Sequence, residues 1–243
     1  MNKHIIRIFI ILGFVISFIM VLIYVQDNLH KPQNRKGVVY WHGDSTQNKI
    51  ALTFDDGPQD VYTPQILDIL KKYGVKATFF LIGKNVEAFP GVAKRIAQEG
   101  HCIGNHTYSH PDLVLKTKEH IRLELQKTEE AIYNATGIKP YLFRPPYGAD
   151  NHWVALEVEN LGYVIIQWSV SGLNGRNDLQ FDKLAQKVIT NTKNGSIILL
   201  HDGNRLSNKI DRSQIIKALP IIIETLQQQG YQFVTIPELL DLN

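Results

Sequence analysis

Beyond residue 48, short apolar runs rich in isoleucine, valine and phenylalanine alternate with longer stretches whose apolar residues recur every three or four positions. The first pattern predicts strands and the second amphipathic helices. Strands are expected at Ile50–Phe54, Thr78–Leu81, Cys102–Asn105, Tyr141–Arg144, Val164–Val170, Ser196–Leu200 and Gln232–Val234. Helices are expected at Thr63–Tyr73, Gly91–Glu99, Thr117–Thr136, Asn151–Leu161, Phe181–Thr192 and Ser213–Gln229. Gly74, Gly100, Gly137, Gly162 and Gly230 follow five of these helices, where a left-handed C-terminal residue is favoured. Pro220 falls inside the last helix and should kink or split it. Strand followed by helix, repeated, implies a parallel sheet, either a closed β/α barrel or an open doubly wound sheet. No glycine-rich phosphate loop follows the first strand, and length and strand count favour the barrel.

The N-terminal pattern is different. From Ile8 to Val25 the chain carries no charge and is almost wholly apolar, with Lys3 and Arg7 before it. As a helix this run would be roughly 27 Å long, close to the hydrocarbon thickness of a bilayer. It exceeds the core of a signal peptide and no small-x-small cleavage site follows, so residues 1–25 are expected to be an uncleaved membrane anchor. Lys3 and Arg7 favour a cytoplasmic N-terminus, while Lys31, Arg35 and Lys36 beyond the span pull the other way. Residues 26–48 read as a stalk and lead-in, and 49–243 as one domain. The 243-residue chain has a formal net charge of +3, and without the anchor's two cations the remainder is close to neutral, so nothing points to nucleic acid. Cys102 is the sole cysteine and is expected to be a small buried side chain. Oligomeric state is not legible.

Polar residues collect where the predicted strands end. Asp55 and Asp56 follow the first strand, His106 and His110 the third, Arg144 closes the fourth, and His201 and Asp202 follow the sixth. These are carboxyl ends of strands, the edge on which β/α barrels carry their active sites. Two histidines four apart, with a carboxylate, form a plausible three-ligand metal site with open positions. Adjacent carboxylates allow one to bind an ion while the other acts as a base, and His201 stands ready to protonate a leaving group. The chemistry implied is metal-assisted hydrolysis.

Thr53-Phe54-Asp55-Asp56-Gly57, His106-Thr107-x-x-His110, Arg144-Pro145-Pro146-Tyr147 and Leu199-Leu200-His201 resemble the ordered motifs of the polysaccharide deacetylases, the NodB-homology domain of carbohydrate esterase family 4. The resemblance runs from about Lys49 to Asp241. It implies a distorted (β/α)7 barrel that removes acetyl groups from N-acetylated amino sugars. By the same resemblance Asp56, His106 and His110 would hold a divalent metal, zinc first and cobalt second, and Asp55 would be the general base. Arg144 would orient Asp55 and keep it ionised, the Tyr147 backbone N–H would serve the oxyanion, and His201 would protonate the departing amine.

One motif departs. The family has Asp-x-x-Asp-Trp after the fifth strand, whereas this chain reads Ser171-Gly172-Leu173-Asn174-Gly175. Asn174 would stand in for the carboxylate that supports the acid histidine, without its charge, and Gly175 removes an apolar wall of the groove. Asp178 and Asp202 are candidates to compensate. His42, His101, His120 and His152 have no matching motif and read as surface or structural, while Trp41 and Trp168 are expected to pack. The reading that emerges is a membrane-anchored deacetylase facing the cell wall, acting on an N-acetylated glycan such as the N-acetylglucosamine of peptidoglycan or chito-oligosaccharide. Two competing classes are a glycan-binding protein with a weakened site and a related-barrel hydrolase of small C–N substrates.

Overall fold

The structure is a computed structural model, and it describes residues 39–174, 177–178, 180–204 and 210–242. The predicted anchor lies outside the described residues, and among those described no helix is long and apolar enough to cross a membrane.

The architecture is a curled parallel sheet in a half-barrel, with helices packed on its outside. Its strands are β1 (Val39–Tyr40), β2 (Lys49–Gly57), β3 (Thr78–Leu81), β4 (Cys102–Asn105), β5 (Leu142–Phe143), β6 (Val164–Ile166), β7 (Val170–Ser171), β10 (Ile197–His201) and β11 (Gln232–Phe233). Between β7 and β10 lies a separate antiparallel pair, β8 (Leu173–Asn174) with β9 (Asn177–Asp178). Hydrogen bonding runs in the order β1-β6-β5-β4-β3-β2-β10-β7, with β11 alongside the start of β2. The helices are α1 (Tyr62–Lys72), α2 (Gly83–Ala88), α3 (Pro90–Gln98), α4 (Lys118–Thr136), α5 (His152–Asn160), α6 (Phe181–Asn191), α7 (Ser213–Gln228) and α8 (Ile236–Leu240).

The strands form where β-branched and aromatic residues are flanked by turn residues, and they are buried on both faces. On β2, Ile50, Leu52 and Phe54 enter the main core with Phe79, Ile198 and Leu200, and the Phe54 and Phe79 rings stack at 5.0 Å. The intervening Thr53 and Asp55 take the opposite face, so one strand supplies both core and site.

Five expectations are revised. The strand anticipated at Val164–Val170 is broken into β6 and β7, because β6 pairs with β1 and β5 whereas β7 pairs with β10. The expected seven strands also gain β1, drawn from the stretch read as lead-in. Pro220 neither splits nor ends α7, whose buried Ile215, Ala218, Leu219, Ile222, Ile223 and Leu226 hold it on the core as one helix. Cys102 is half-buried, and Trp41 is 48% exposed, less packed than anticipated.

His101 is structural, as its lack of a motif suggests. Its ring is buried edge-on to Phe79, Nδ1 accepts from the Ala77 N–H at 3.2 Å, and burial lowers its pKa to about 4. A histidine whose folded pKa lies below its unfolded value near 6.5 adds stability fully present above that value and lost as pH falls toward 4. The unfolding free energy of the wild type, from urea denaturation, should therefore drop between pH 7 and 4.5 by roughly 2 kcal/mol more than that of His101→Gln. Equal drops would show that the ring titrates freely.

Candidate active site

A regular strand would send Asp55 and Asp56 to opposite faces. Here the β2–β3 register shifts between Asp55 and Gly57, a bulge at which Asp56 takes φ 72°. The extra residue brings both carboxylates to one side, within 3.9 Å and 3.5 Å of His106 Nε2. The bulge also needs glycine at two facing positions. A Cβ on Gly57 would lie 2.2 Å from Asp202 Oδ2, and one on Gly203 would lie 2.1 Å from the Asp56 carbonyl oxygen.

Neighbouring strands bring the remaining groups. Parallel pairing of β10 with β2 sets His201 beside Asp55. On the far side Asn105 pairs with Phe143, so the next residue of each strand, His106 and Arg144, enters the same region. His106 Nδ1 donates to the Arg144 carbonyl at 2.7 Å, which leaves Nε2 to present its lone pair. Asp56 Oδ1 lies 3.1 Å from His110 Nε2 and 3.5 Å from His106 Nε2, and it is buried with no hydrogen-bond partner among the described residues. Tetrahedral ligands at ~2.0–2.1 Å from an ion stand about 3.4 Å apart, and the ligand atoms of Asp56, His106 and His110 all lie within 4.8 Å of one another. Two imidazoles and one carboxylate oxygen converging in this way fit a divalent cation.

Arg144 is fully buried and anchors Asp55. Its Nη1 donates to Asp55 Oδ1 and to Thr53 Oγ1, each at 2.7 Å, while Nε and Nη2 donate to the carbonyls of Ile166 and Gln167. The guanidinium lies 4.2 Å from the centroid of Phe80. Tyr147, 58% exposed, packs its ring edge-on to His110 at 4.8 Å with φ 63°. Among the described residues, four of the five non-glycine positions with positive φ, namely Asp56, Thr107, His110 and Tyr147, belong to these loops, which concentrates backbone strain at the site.

The electrostatics follow from burial. Burial alone would raise the Asp56 pKa, but the His106 and His110 imidazoles overcome it and hold the carboxyl well below its ordinary range. Burial opposes charge on His106 too, and there Asp55 and Asp56 prevail and raise its pKa. His201, by contrast, is lowered to about 4, since burial outweighs the two aspartates. Among the described residues its Nδ1 has no hydrogen-bond partner. Of the two candidates to compensate for the altered motif, Asp202 turns its carboxylate to Thr63 Oγ1 at 2.6 Å, and burial pushes it up to about 7. Asn174 lies on β8 and Asp178 on β9, but their side chains, like Gly175, lie outside the described residues.

Residues without a motif also take part. Asn85 donates to the Asp56 carbonyl at 2.7 Å, the Nη2 of buried Arg212 lies 3.8 Å from Asp56 Oδ2, and Glu124 holds the loop between the two histidines. The one sequence signal for Glu124 is an acid on the apolar face of its helix, flanked by Ile121, Leu125 and Thr128.

Relatives of known kind match this chain in sequence and in fold. The family profile for polysaccharide deacetylases matches residues 42–166. A peptidoglycan-N-acetylglucosamine deacetylase of Bacillus cereus is 42% identical over 81% of this chain and 70% of its own length. The peptidoglycan-N-acetylmuramic acid deacetylase PdaA of Bacillus subtilis is 38% identical over 83% of this chain and 74% of its own. Among solved structures, that of the Bc1960 peptidoglycan N-acetylglucosamine deacetylase superimposes with a TM-score of 0.79 at 39% identity, covering 84% of this chain and 92% of that one. With site, profile and fold in agreement, the chain belongs to the polysaccharide deacetylase family.

Proposed function

We propose that this protein hydrolyses the acetamide of N-acetylated amino sugars in peptidoglycan, releasing acetate and leaving a free amine on the glycan. The observation that carries the reading is the division of labour between two adjacent carboxylates: Asp56 faces two histidine Nε2 atoms, while Asp55 is fixed by a buried arginine beside them. A divalent ion held by Asp56, His106 and His110, with zinc the first candidate and cobalt the second, would supply a Lewis acid and a water of lowered pKa. Asp55 takes the proton from the attacking water, and Arg144 keeps that carboxylate aimed while it does so. The backbone N–H of Tyr147 donates to the oxyanion of the tetrahedral intermediate. His201, placed beside Asp55 by the β10–β2 register, gives a proton to the departing amine.

The sugar is proposed from the relatives, two of which act on N-acetylglucosamine or N-acetylmuramic acid of peptidoglycan. The apolar run Ile8–Val25 supports a single-pass anchor that holds the domain at the outer membrane face, against an immobile wall substrate. The altered Ser171–Gly175 motif supports the second reading, a glycan-binding protein whose site turns over slowly.

The test is acetate release by the full-length chain from N-acetylated chito-oligosaccharide and from peptidoglycan. Release is expected with added zinc or cobalt, to stop on chelation, and to return when the metal is restored. Tight glycan binding with metal in place and no acetate from either polymer would favour the binding protein instead.

A further inference from the structure

We propose that Glu124 is a positioning residue of the metal centre, its carboxylate fixing the Tyr108–Ser109 backbone so that His106 and His110 present their ring nitrogens to one point. Glu124 is 7% exposed on the inner face of α4. Its Oε2 accepts the N–H groups of Tyr108 at 2.9 Å and Ser109 at 2.8 Å, and its Oε1 accepts the Ser109 hydroxyl at 2.8 Å.

The loop's carbonyls are held from α2, where the Gly83 and Lys84 N–H groups donate to Thr107 and Tyr108 at 3.0 and 3.1 Å, and its N–H groups need a different partner. Thr107 and His110 are both left-handed, at φ 66° and 58°. The other N–H groups of the loop are used at short range, from the Thr107 N–H to Asn105 Oδ1 and from the His110 N–H to Thr107 Oγ1. Of the acceptors for the Thr107–His110 N–H groups, Glu124 is the one that comes from a separate element, and it ties the middle of the loop to a helix fixed by the core. A carboxylate suits three converging donors because it carries acceptors only, whereas the amide of glutamine would set an N–H₂ against a backbone N–H. Groups that orient a ligand in this way commonly change metal affinity when removed.

The inference rests on the reading of Asp56, His106 and His110 as a divalent metal site. The experiment measures zinc affinity of the full chain by competition with a chromogenic chelator, and amide hydrogen exchange at Tyr108 and Ser109 in metal-free protein. Glu124→Gln should weaken zinc binding about 10- to 100-fold and speed exchange at both amides. Ile132→Val, which thins the core under the same helix, serves as the control and should lower thermal stability while leaving zinc affinity as in the wild type. Ser109→Ala, which removes one of the three bonds, should weaken zinc severalfold, and this variant decides the question should Glu124→Gln not fold. Wild-type affinity in Glu124→Gln or Ser109→Ala, with zinc bound normally by the parent, would overturn the positioning role alone. No zinc uptake by the parent would overturn the metal reading and the proposal with it.

Discussion

Asp55→Asn should lower kcat for acetate release by about 10³-fold, within the ~10²–10⁴ range of a positioned general base, while zinc affinity stays within tenfold of the wild type. The split follows from the geometry. Asp55 Oδ1 is held by Arg144 at 2.7 Å and Oδ2 lies 3.9 Å from His106 Nε2, so the carboxylate borders the three-ligand cluster without belonging to it. Asparagine keeps the size of the side chain and an oxygen for Arg144, but it cannot take a proton from water at any working pH. Asp56→Asn, in contrast, alters a ligand and should lower metal affinity and turnover together. Parallel measurement of kcat and zinc affinity in the two variants separates base from ligand. If Asp55→Asn kept turnover within tenfold of the parent, another residue would have to be the base.

The parts of this centre that the sequence discloses are those set by local pattern. Strand ends, helix periodicity and the glycines at Gly74, Gly100, Gly137, Gly162 and Gly230, all with positive φ, are written in residues near one another, and from them the site-bearing edge of the sheet can be read. What is not disclosed depends on the third dimension. Period-two alternation would separate Asp55 from Asp56, and only the bulge against β3 reunites them. Glu124 shows only its place on the apolar face of its helix, and Arg212 looks like an ordinary surface charge in loop sequence, since their partners lie along the chain or across the fold. Splitting of the stretch from Val164 to Val170 was equally hidden, because it arises from two different neighbours, β1 and β10, competing for one apolar run. The short helix α2, between β3 and α3, is not legible for want of a full amphipathic repeat.

Arg144→Met should lower unfolding free energy by about 3–5 kcal/mol and remove most turnover. Four acceptors depend on this one side chain: Asp55 Oδ1, Thr53 Oγ1 and the carbonyls of Ile166 and Gln167, all in a region closed to water at the guanidinium. Methionine fills much of the space beside Phe80 but donates to none of them, and the heaviest cost is a buried carboxylate left without its counterion. That attribution has its own check. Combining Arg144→Met with Asp55→Asn removes the stranded charge, so the double variant should be less destabilised than the sum of the two single variants, with a coupling of about 1–3 kcal/mol. Urea denaturation of the parent, both single variants and the double variant at one pH supplies the four values. Strict additivity would mean that the arginine stabilises the fold through its carbonyl contacts and its packing on Phe80, and that its grip on Asp55 serves catalysis alone. A large coupling would instead make the same ion pair responsible for both, so that natural replacement of either residue would tend to require replacement of the other.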